Sequence, residues 1–242
     1  MLHVYIIGLG SLGSTVATEI AKRSLATKTI VRMSLYDYDT VEERNVAAQI
    51  FTPEHIGKTK AEVVGGIVNQ YSTVEAKVYN EKIGPPEIAR LAKEMEVSED
   101  NIVILDCVDN LPTRELLWTL GGLSSNPVLH VSMSTKGMGY AQWSVQLLEL
   151  DTWSLSPKNI RPETREAIIN EDKPVVPPCE LNSMRTLILL TSLAAVNAIF
   201  LVEGKDPSNF LGEDTSKYGA IFSTWKTDLN SMSIVKELTY CL

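Results

Sequence analysis

The chain has 242 residues, a formal net charge of −8, 44% hydrophobic and 21% charged residues. This is the composition of an ordinary globular protein long enough for one large α/β domain. The acid excess and the lack of any lysine–arginine block argue against an electrostatic nucleic-acid surface. Three scattered cysteines, Cys107, Cys179 and Cys241, make neither a disulfide framework nor a CxxC zinc pair, and fit a reducing, cytoplasmic compartment.

The first apolar run, Leu2–Ile7, reads as a buried strand, with no basic signal-peptide stretch ahead of it. The loop Gly8-Leu9-Gly10-Ser11-Leu12-Gly13 follows and a helical pattern runs from Ser11 to Leu25. Glycines between a strand and a helix permit a tight turn and let backbone amides approach a phosphate at the helix's positive end. The loop alone is shared by many nucleotide-binding classes, and glycines there also serve plain helix–strand packing. A second strand, Val31–Tyr36, ends at Asp37, an acid about 20 residues on, where a ribose hydroxyl would sit. A helix is predicted over Lys58–Gln70, with Lys58 and Lys60 at its start. Lysines there oppose the helix dipole, which a bound polyphosphate would explain; a solvated face is the plainer reading. Gly57-Lys58-Thr59 resembles the end of a Walker loop, but the earlier glycine that loop requires falls at Thr52.

A strand Val74–Tyr79, a helix Pro86–Met95, a strand Ile102–Leu105 and a helix Pro112–Leu120 come next. Between the last two stand Asp106 and Asp109, where a parallel strand ends and ligands bind in open α/β sheets. An acid at that edge can hold Mg²⁺ against phosphates, or can cap the following helix together with Asn110. Arg114 reads as a structural salt-bridge partner of Asp106 or Asp109, and Cys107 as packing. His3 and His130 fall on strands as core or edge residues, His55 in a loop, and no Ser–His–Asp order emerges. The alternation predicts an α/β fold with a Rossmann-like, mostly parallel sheet flanked by helices.

The second half differs. Val128–Ser132 is one more sheet strand and Tyr140–Leu150 alternates as a half-exposed one. Residues 151–180 are rich in proline and polar groups, with one helical stretch near 163–170, and read as a crossover loop. The helix 181–203 contains the apolar run Leu187–Val202, which is short of the ~20 residues a membrane span needs and reads as a core or interface helix. Ala220–Trp225 and Met232–Leu238 read as a hairpin, giving an antiparallel C-terminal extension. We expect a single domain over 1–242, its nucleotide-binding part being 1–135 and its partner contacts 136–242.

Four segments in order, Gly8–Gly13, Asp37–Asn45, Phe51–Glu62 and Ile104–Arg114, resemble the ThiF/MoeB superfamily of adenylating enzymes related to ubiquitin-activating enzyme. The likeness resumes at Pro177-Pro178-Cys179-Glu180 and the helix after it. The resemblance implies that Gly8, Gly10 and Gly13 receive ATP and that Asp37 binds the ribose. It further implies that Asn45, Gln49 and Lys60 contact phosphates and that Asp109 holds Mg²⁺. The implied reaction is adenylation of the C-terminal carboxylate of a small ubiquitin-like or sulfur-carrier protein with a glycine tail. Lys60, Asp109 and Asn45 serve that step. Cys179 stands where covalent-intermediate relatives carry a cysteine, an ordinary loop cysteine being the alternative. A homodimer is expected, with the helix 181–203 contributing, and the segment His130–Gly139 resembles the strand leading to the carrier-tail groove.

Three departures stand out. The family usually carries an arginine where this chain has Ala48, with Arg44 one helical turn away. The arginine-bearing N-terminal helix of many relatives has no counterpart before Leu2, and the paired zinc cysteines are absent. Two alternatives stay open: a non-catalytic partner subunit, and an adenylyltransferase acting on a small molecule, peptide or tRNA. A nicotinamide dehydrogenase would give the aspartate pair and the lysines no purpose.

Overall fold

The computed structural model describes residues 1–133, 138–144, 181–201, 220–228 and 233–241. The strands are β1 (Leu2–Ile7), β2 (Val31–Tyr36), β3 (Val74–Tyr79), β4 (Asn101–Asp106), β5 (Val128–Met133), β6 (Met138–Ser144), β7 (Ala220–Asp228) and β8 (Ser233–Cys241). They form one sheet in the order β3-β2-β1-β4-β5-β6-β7-β8. The first five are parallel and the last three antiparallel, as the sequence leads one to expect. The helices are α1 (Ser11–Thr27), α2 (Glu43–Ala48), α3 (Lys60–Val68), α4 (Pro85–Glu96), α5 (Leu111–Ser124) and α6 (Leu181–Leu201).

All six residues of β1 are buried, which is why its run is apolar at consecutive rather than alternate positions. Val4 and Ile6 face a core shared with Val16 and Ile20 of α1, Val64 of α3 and Ala195 and Ile199 of α6. Tyr5 and Ile7 face the opposite layer, with Leu91 of α4 and Leu117 and Leu120 of α5. Leu187, Ile188, Ala194, Ala198 and Ile199 of α6 are buried, so the described part of the apolar run packs mainly into the core, with Leu189 exposed.

Most differences from the sequence reading lie at element ends. The helix expected from Lys58 starts at Lys60, because Thr59 caps it and accepts the Glu62 N–H at 3.3 Å. A short α2 covers a stretch for which the one-turn spacing of Arg44 and Ala48 is the only helical reading in the sequence. Its start is closed by the Glu42 N–H donating to Asn45 Oδ1 at 2.8 Å, and six residues are too few to show a period. The stretch near 163–170, the crossover loop and Cys179 lie outside the described residues, as do the ends of the strand expected over Tyr140–Leu150 and of the helix expected over 181–203.

The strand order reverses between β1 and β4: the connection after β1 runs to β2 and that after β4 to β5 on its other side. Ile7 and Asp106 are register partners, so the loops beyond them leave the same edge side by side. That opening is what positions the site.

At the rim of the sheet, β3 is an edge strand. Its outward Ala76 N–H donates to Asn69 Oδ1 at 2.8 Å, while Asn69 Nδ2 donates to the Ala76 carbonyl at 3.2 Å. One side-chain amide thus takes the place of a neighbouring strand. Asn69→Ala should lower stability by roughly 1 kcal/mol for the two lost bonds, as read by urea unfolding.

Candidate functional site

The three loop glycines have three different reasons to be glycine. Gly8 has φ +88°, and a Cβ on it would lie 3.0 Å from the Cys107 carbonyl carbon and oxygen. A Cβ on Gly13 would lie 1.8 Å from the Gly8 carbonyl oxygen, so its bareness lets α1 sit down on the loop. Around Gly10, by contrast, an added Cβ meets nothing within 4 Å. Gly10 is also the N-cap of the 17-residue α1, where no side chain caps the helix and no acid stands in the first turn. Among the described residues no side chain takes the amides of that turn, and the helix dipole favours an anion there.

Asp37 closes the loop from the other side. Its Oδ2 accepts the Leu9 N–H at 2.6 Å and its Oδ1 the Asp39 N–H at 2.8 Å. Burial raises its pKa above the usual carboxylate range, against the pull of those two N–H groups and of Lys60. Each oxygen keeps a second lone pair, so the bracing role is compatible with a ribose hydroxyl.

Of the two lysines only Lys60 is held inside. It is 7% exposed, its Nζ lies 2.7 Å from Asp39 Oδ2, and its N–H donates to the Asp39 carbonyl at 2.9 Å. Lys58 is exposed. Asn45 is buried, with its Oδ1 used by the α2 cap. Gln49 Oε1 is buried with no hydrogen-bond partner among the described residues, an arrangement that costs about 1–3 kcal/mol and that a ligand donor would relieve. Turning the amide over would present its N–H donors there instead.

The arginines are placed by the fold rather than by spacing. Arg44 pairs with Glu42 at 2.5 Å on the surface, its side chain 75% exposed, so its one-turn spacing from Ala48 does not bring it inside. Arg185 of α6 reaches α2 instead, its Nε donating to the Ala47 carbonyl at 2.8 Å. Sequence reasoning missed it, since 138 residues separate the two. Arg114 pairs with Asp106, Nη1 to Oδ2 2.8 Å, one of its two expected partners.

Asp109 is exposed, on the loop between β4 and α5. Among the described residues no group of three His, Cys, Asp or Glu side chains forms a ready-made metal site. A single carboxylate beside an opening for phosphates still fits Mg²⁺, which takes most of its oxygens from phosphate and water. Cys107 lies against Gly13, and burial pushes its thiol pKa up, so packing is its role.

A cavity of about 420 Å³ opens over the face of β1, β2 and β3 away from α1 and is lined by His3, Tyr5, Arg32, Ser34, Lys77 and Glu94 among others. It holds a Ser34–His3–Asp100 row that the sequence did not show: Ser34 Oγ to His3 Nε2 3.0 Å, His3 Nδ1 to Asp100 Oδ2 3.8 Å. The second distance is too long for a hydrogen bond, and Arg32 Nη1 occupies the same Asp100 oxygen at 2.5 Å. Burial, with the charge of Arg32, lowers the His3 pKa to about 4, too weak a base to activate a serine. The row is structural.

A sheet of this order, with a glycine loop, a buried acid and a buried lysine at its reversal point, has the architecture in which nucleotides bind. A model of the ThiF family matches residues 1–241, and the chain belongs to that family. It is 30% identical to the adenylyltransferase and sulfurtransferase MOCS3 of Sus scrofa over 131 residues, 53% of this chain and 26% of that one. With ubiquitin-like modifier-activating enzyme 5 of Dictyostelium discoideum it shares 29% over 154 residues, 56% of this chain and 39% of that one. The chain thus spans 26% to 39% of the length of these curated relatives. Among solved structures, E. coli MccB with ATP superposes at TM-score 0.63 and 16% identity, covering 99% of this chain and 64% of that one. E. coli TcdA, a tRNA N6-threonylcarbamoyladenosine dehydratase, does so at 0.54 and 17%, covering 84% and 87%. Both show the fold. No helix among the described residues is long and apolar enough to cross a membrane.

Two outcomes are expected from this geometry. Gly13→Ala should cost more than ~3 kcal/mol through its backbone clash, whereas Gly10→Ala should leave the melting temperature unchanged, as calorimetry will show. His3 is neutral in the fold with a pKa near 4 against 6.5 in the unfolded chain. Its stabilisation is therefore complete above pH 6.5 and declines, by up to roughly 3 kcal/mol, as pH falls toward 4. His3→Gln should flatten the unfolding free energy across that interval.

Proposed function

We propose that this chain is an ATP-dependent adenylyltransferase that activates the C-terminal carboxylate of a small ubiquitin-like or sulfur-carrier protein ending in glycine. The observation that carries the reading is the open space at Gly10, beside an uncapped helix N-terminus and next to the buried Asp37. The amides of α1 and the bare Gly10 backbone receive phosphate oxygens. Asp37 accepts from the ribose. Lys60, aimed by Asp39, sets an ammonium against the phosphates, and Asn45 and Gln49 offer amides. Asp109 is the residue that would hold Mg²⁺, whose bound charge offsets that of the phosphates.

A carboxylate oxygen of the carrier attacks the α-phosphorus, a new O–P bond forms, and the bridging P–O bond to the β-phosphate breaks, releasing pyrophosphate. Little covalent chemistry falls to the protein; positioning and charge neutralisation do the work. The mixed anhydride is then open to a thiol. Cys179 is the thiol proposed, its sulfur forming a thioester as AMP leaves; Cys107, whose thiol pKa is raised and which packs against Gly13, is not a candidate. The relatives support the reading: one is a ubiquitin-like modifier-activating enzyme and another an adenylyltransferase and sulfurtransferase. MccB has been solved with AMPCPP and MccA together. The proposal includes one domain over 1–242, a homodimer and a cytoplasmic location. The described part of α6 would lend the dimer contact its exposed positions, Leu189 among them.

Ala48, with Arg44 turned to the surface, favours one competing reading, a partner subunit that keeps the fold without the reaction. Pyrophosphate–ATP exchange decides between them. Exchange that requires a carrier ending in glycine is expected, and Lys60→Ala and Asp109→Ala should each lower it by about 100-fold or more. ATP binding without exchange would assign the partner role.

A further inference from the structure

Three buried polar residues from three elements meet behind the loop that carries Asp109. Asp106 ends β4, Arg114 lies in α5 and His130 in β5. Asp106 and His130 are fully buried and Arg114 is 8% exposed. The Asp106 Oδ2 takes the His130 Nδ1 at 2.6 Å and lies 2.8 Å from Arg114 Nη1, an ion contact without an aligned hydrogen bond. Trp118 stacks on the imidazole, ring centres 5.6 Å apart and planes 28° apart. Burial opposes the charge on Asp106, but Arg114 and His130 outweigh it and hold its carboxyl below the usual range. Burial also keeps His130 neutral, so the ring nitrogen facing the carboxylate is the one that donates.

Such a cluster is a poor source of stability, because each polar group has been taken out of water. Its other contacts show what it holds. The Val108 N–H donates to Asp106 Oδ1 at 3.1 Å, and the Val108 carbonyl accepts from Arg114 Nη2 at 2.7 Å. Val108 is thus gripped by both its polar backbone groups. On the other side of Asp109, Asn110 is fixed as the α5 cap, its Oδ1 accepting the Thr113 N–H at 3.0 Å. The Asp109 backbone is therefore clamped from both ends, and the cluster fixes one of them.

We propose that His130, acting through Asp106 and Arg114, is a positioning residue for Asp109: it sets how well the loop presents that carboxylate to a divalent cation on the bound nucleotide. The inference rests on the reading of Asp109 given above. His130 touches neither nucleotide nor metal. Its hydrogen bond holds Asp106 in the orientation from which Asp106 and Arg114 together grip Val108. Groups bonded directly to a metal ligand are worth about 10–100-fold in metal affinity, and His130, one contact further back, is expected at the lower end of that range.

The test titrates Mg²⁺ against the full chain with a fluorescent ATP analogue, reading the half-saturating Mg²⁺ concentration and, separately, analogue affinity in EDTA. His130→Leu keeps the volume and loses the donor; it should raise the half-saturating concentration about 10-fold while leaving the EDTA affinity within about 2-fold. His130→Asn, whose amide N–H can stand near the Nδ1 position, should restore most of the loss. Asp109→Ala is the control and should abolish the Mg²⁺ dependence. Equal losses with and without metal in His130→Leu, or no change, or no rescue by Asn, would overturn the proposal while the Asp109 control still behaved as expected. A Mg²⁺ dependence that survives Asp109→Ala, or a wild-type chain that binds no analogue, would overturn the reading of the site and this inference with it. Should His130→Leu fail to fold, Arg114→Lys reads the same point. It keeps the charge beside Asp106 but cannot hold the Val108 carbonyl as well, so an unshifted Mg²⁺ curve there would equally overturn the proposal.

Discussion

Much of this structure turns on the Asp37 carboxylate, buried between the N–H groups of Leu9 and Asp39. It joins the loop after β1 to the loop after β2 at a place where the strands themselves have ended. Backbone bonds complete the tie: Gly8 N–H to the Tyr36 carbonyl, Asp37 N–H to that of Tyr79, Cys107 N–H to that of Ile7. Each loop thus starts from a fixed point, and the spread between them is set by strand spacing. Desolvating a carboxylate is costly, and the two backbone donors offset that cost only while the loops keep this arrangement. A cradle of this kind is preorganised, needing little rearrangement to receive charge.

The parts legible from sequence were those with strong local signals. The runs Leu2–Ile7, Val31–Tyr36 and Val74–Tyr79 have the same bounds in the structure, because each apolar or alternating stretch is closed by glycine, aspartate or polar residues. The parallel order followed from strand–helix alternation. Helix ends shifted because capping is decided by one side chain, as Thr59 shows. Relations across the sheet were not legible. Nothing in the spacing of Asp106 and His130 gives their 2.6 Å contact, which exists because β4 and β5 run side by side in register. Arg185 on Ala47 and the His3–Ser34 pair are further cases.

Two clusters of buried polar groups sit on the sheet, and their geometry separates them. The one around His3 lies near the strand starts, where Arg32 and the Met1 amino group share Asp100 and His3 pairs with Ser34. It ties β1 and β2 to the residues before β4. The one around Asp106 lies at the opposite end, where loops leave the sheet, and grips a backbone segment that has no strand neighbour. The same residue types serve architecture at one end and alignment of a loop at the other, depending on what lies beyond the last strand residue.

The Asn69 side chain has a bearing on how the sheet can grow. With its amide paired to both backbone groups of Ala76, the β3 rim offers an incoming peptide little continuous ladder to extend. The opposite rim belongs to β8, in the antiparallel half. Any polypeptide that joins by strand addition would meet a blunted margin on the nucleotide side of the molecule. Strand addition at the β3 rim is thereby disfavoured at the middle of that strand.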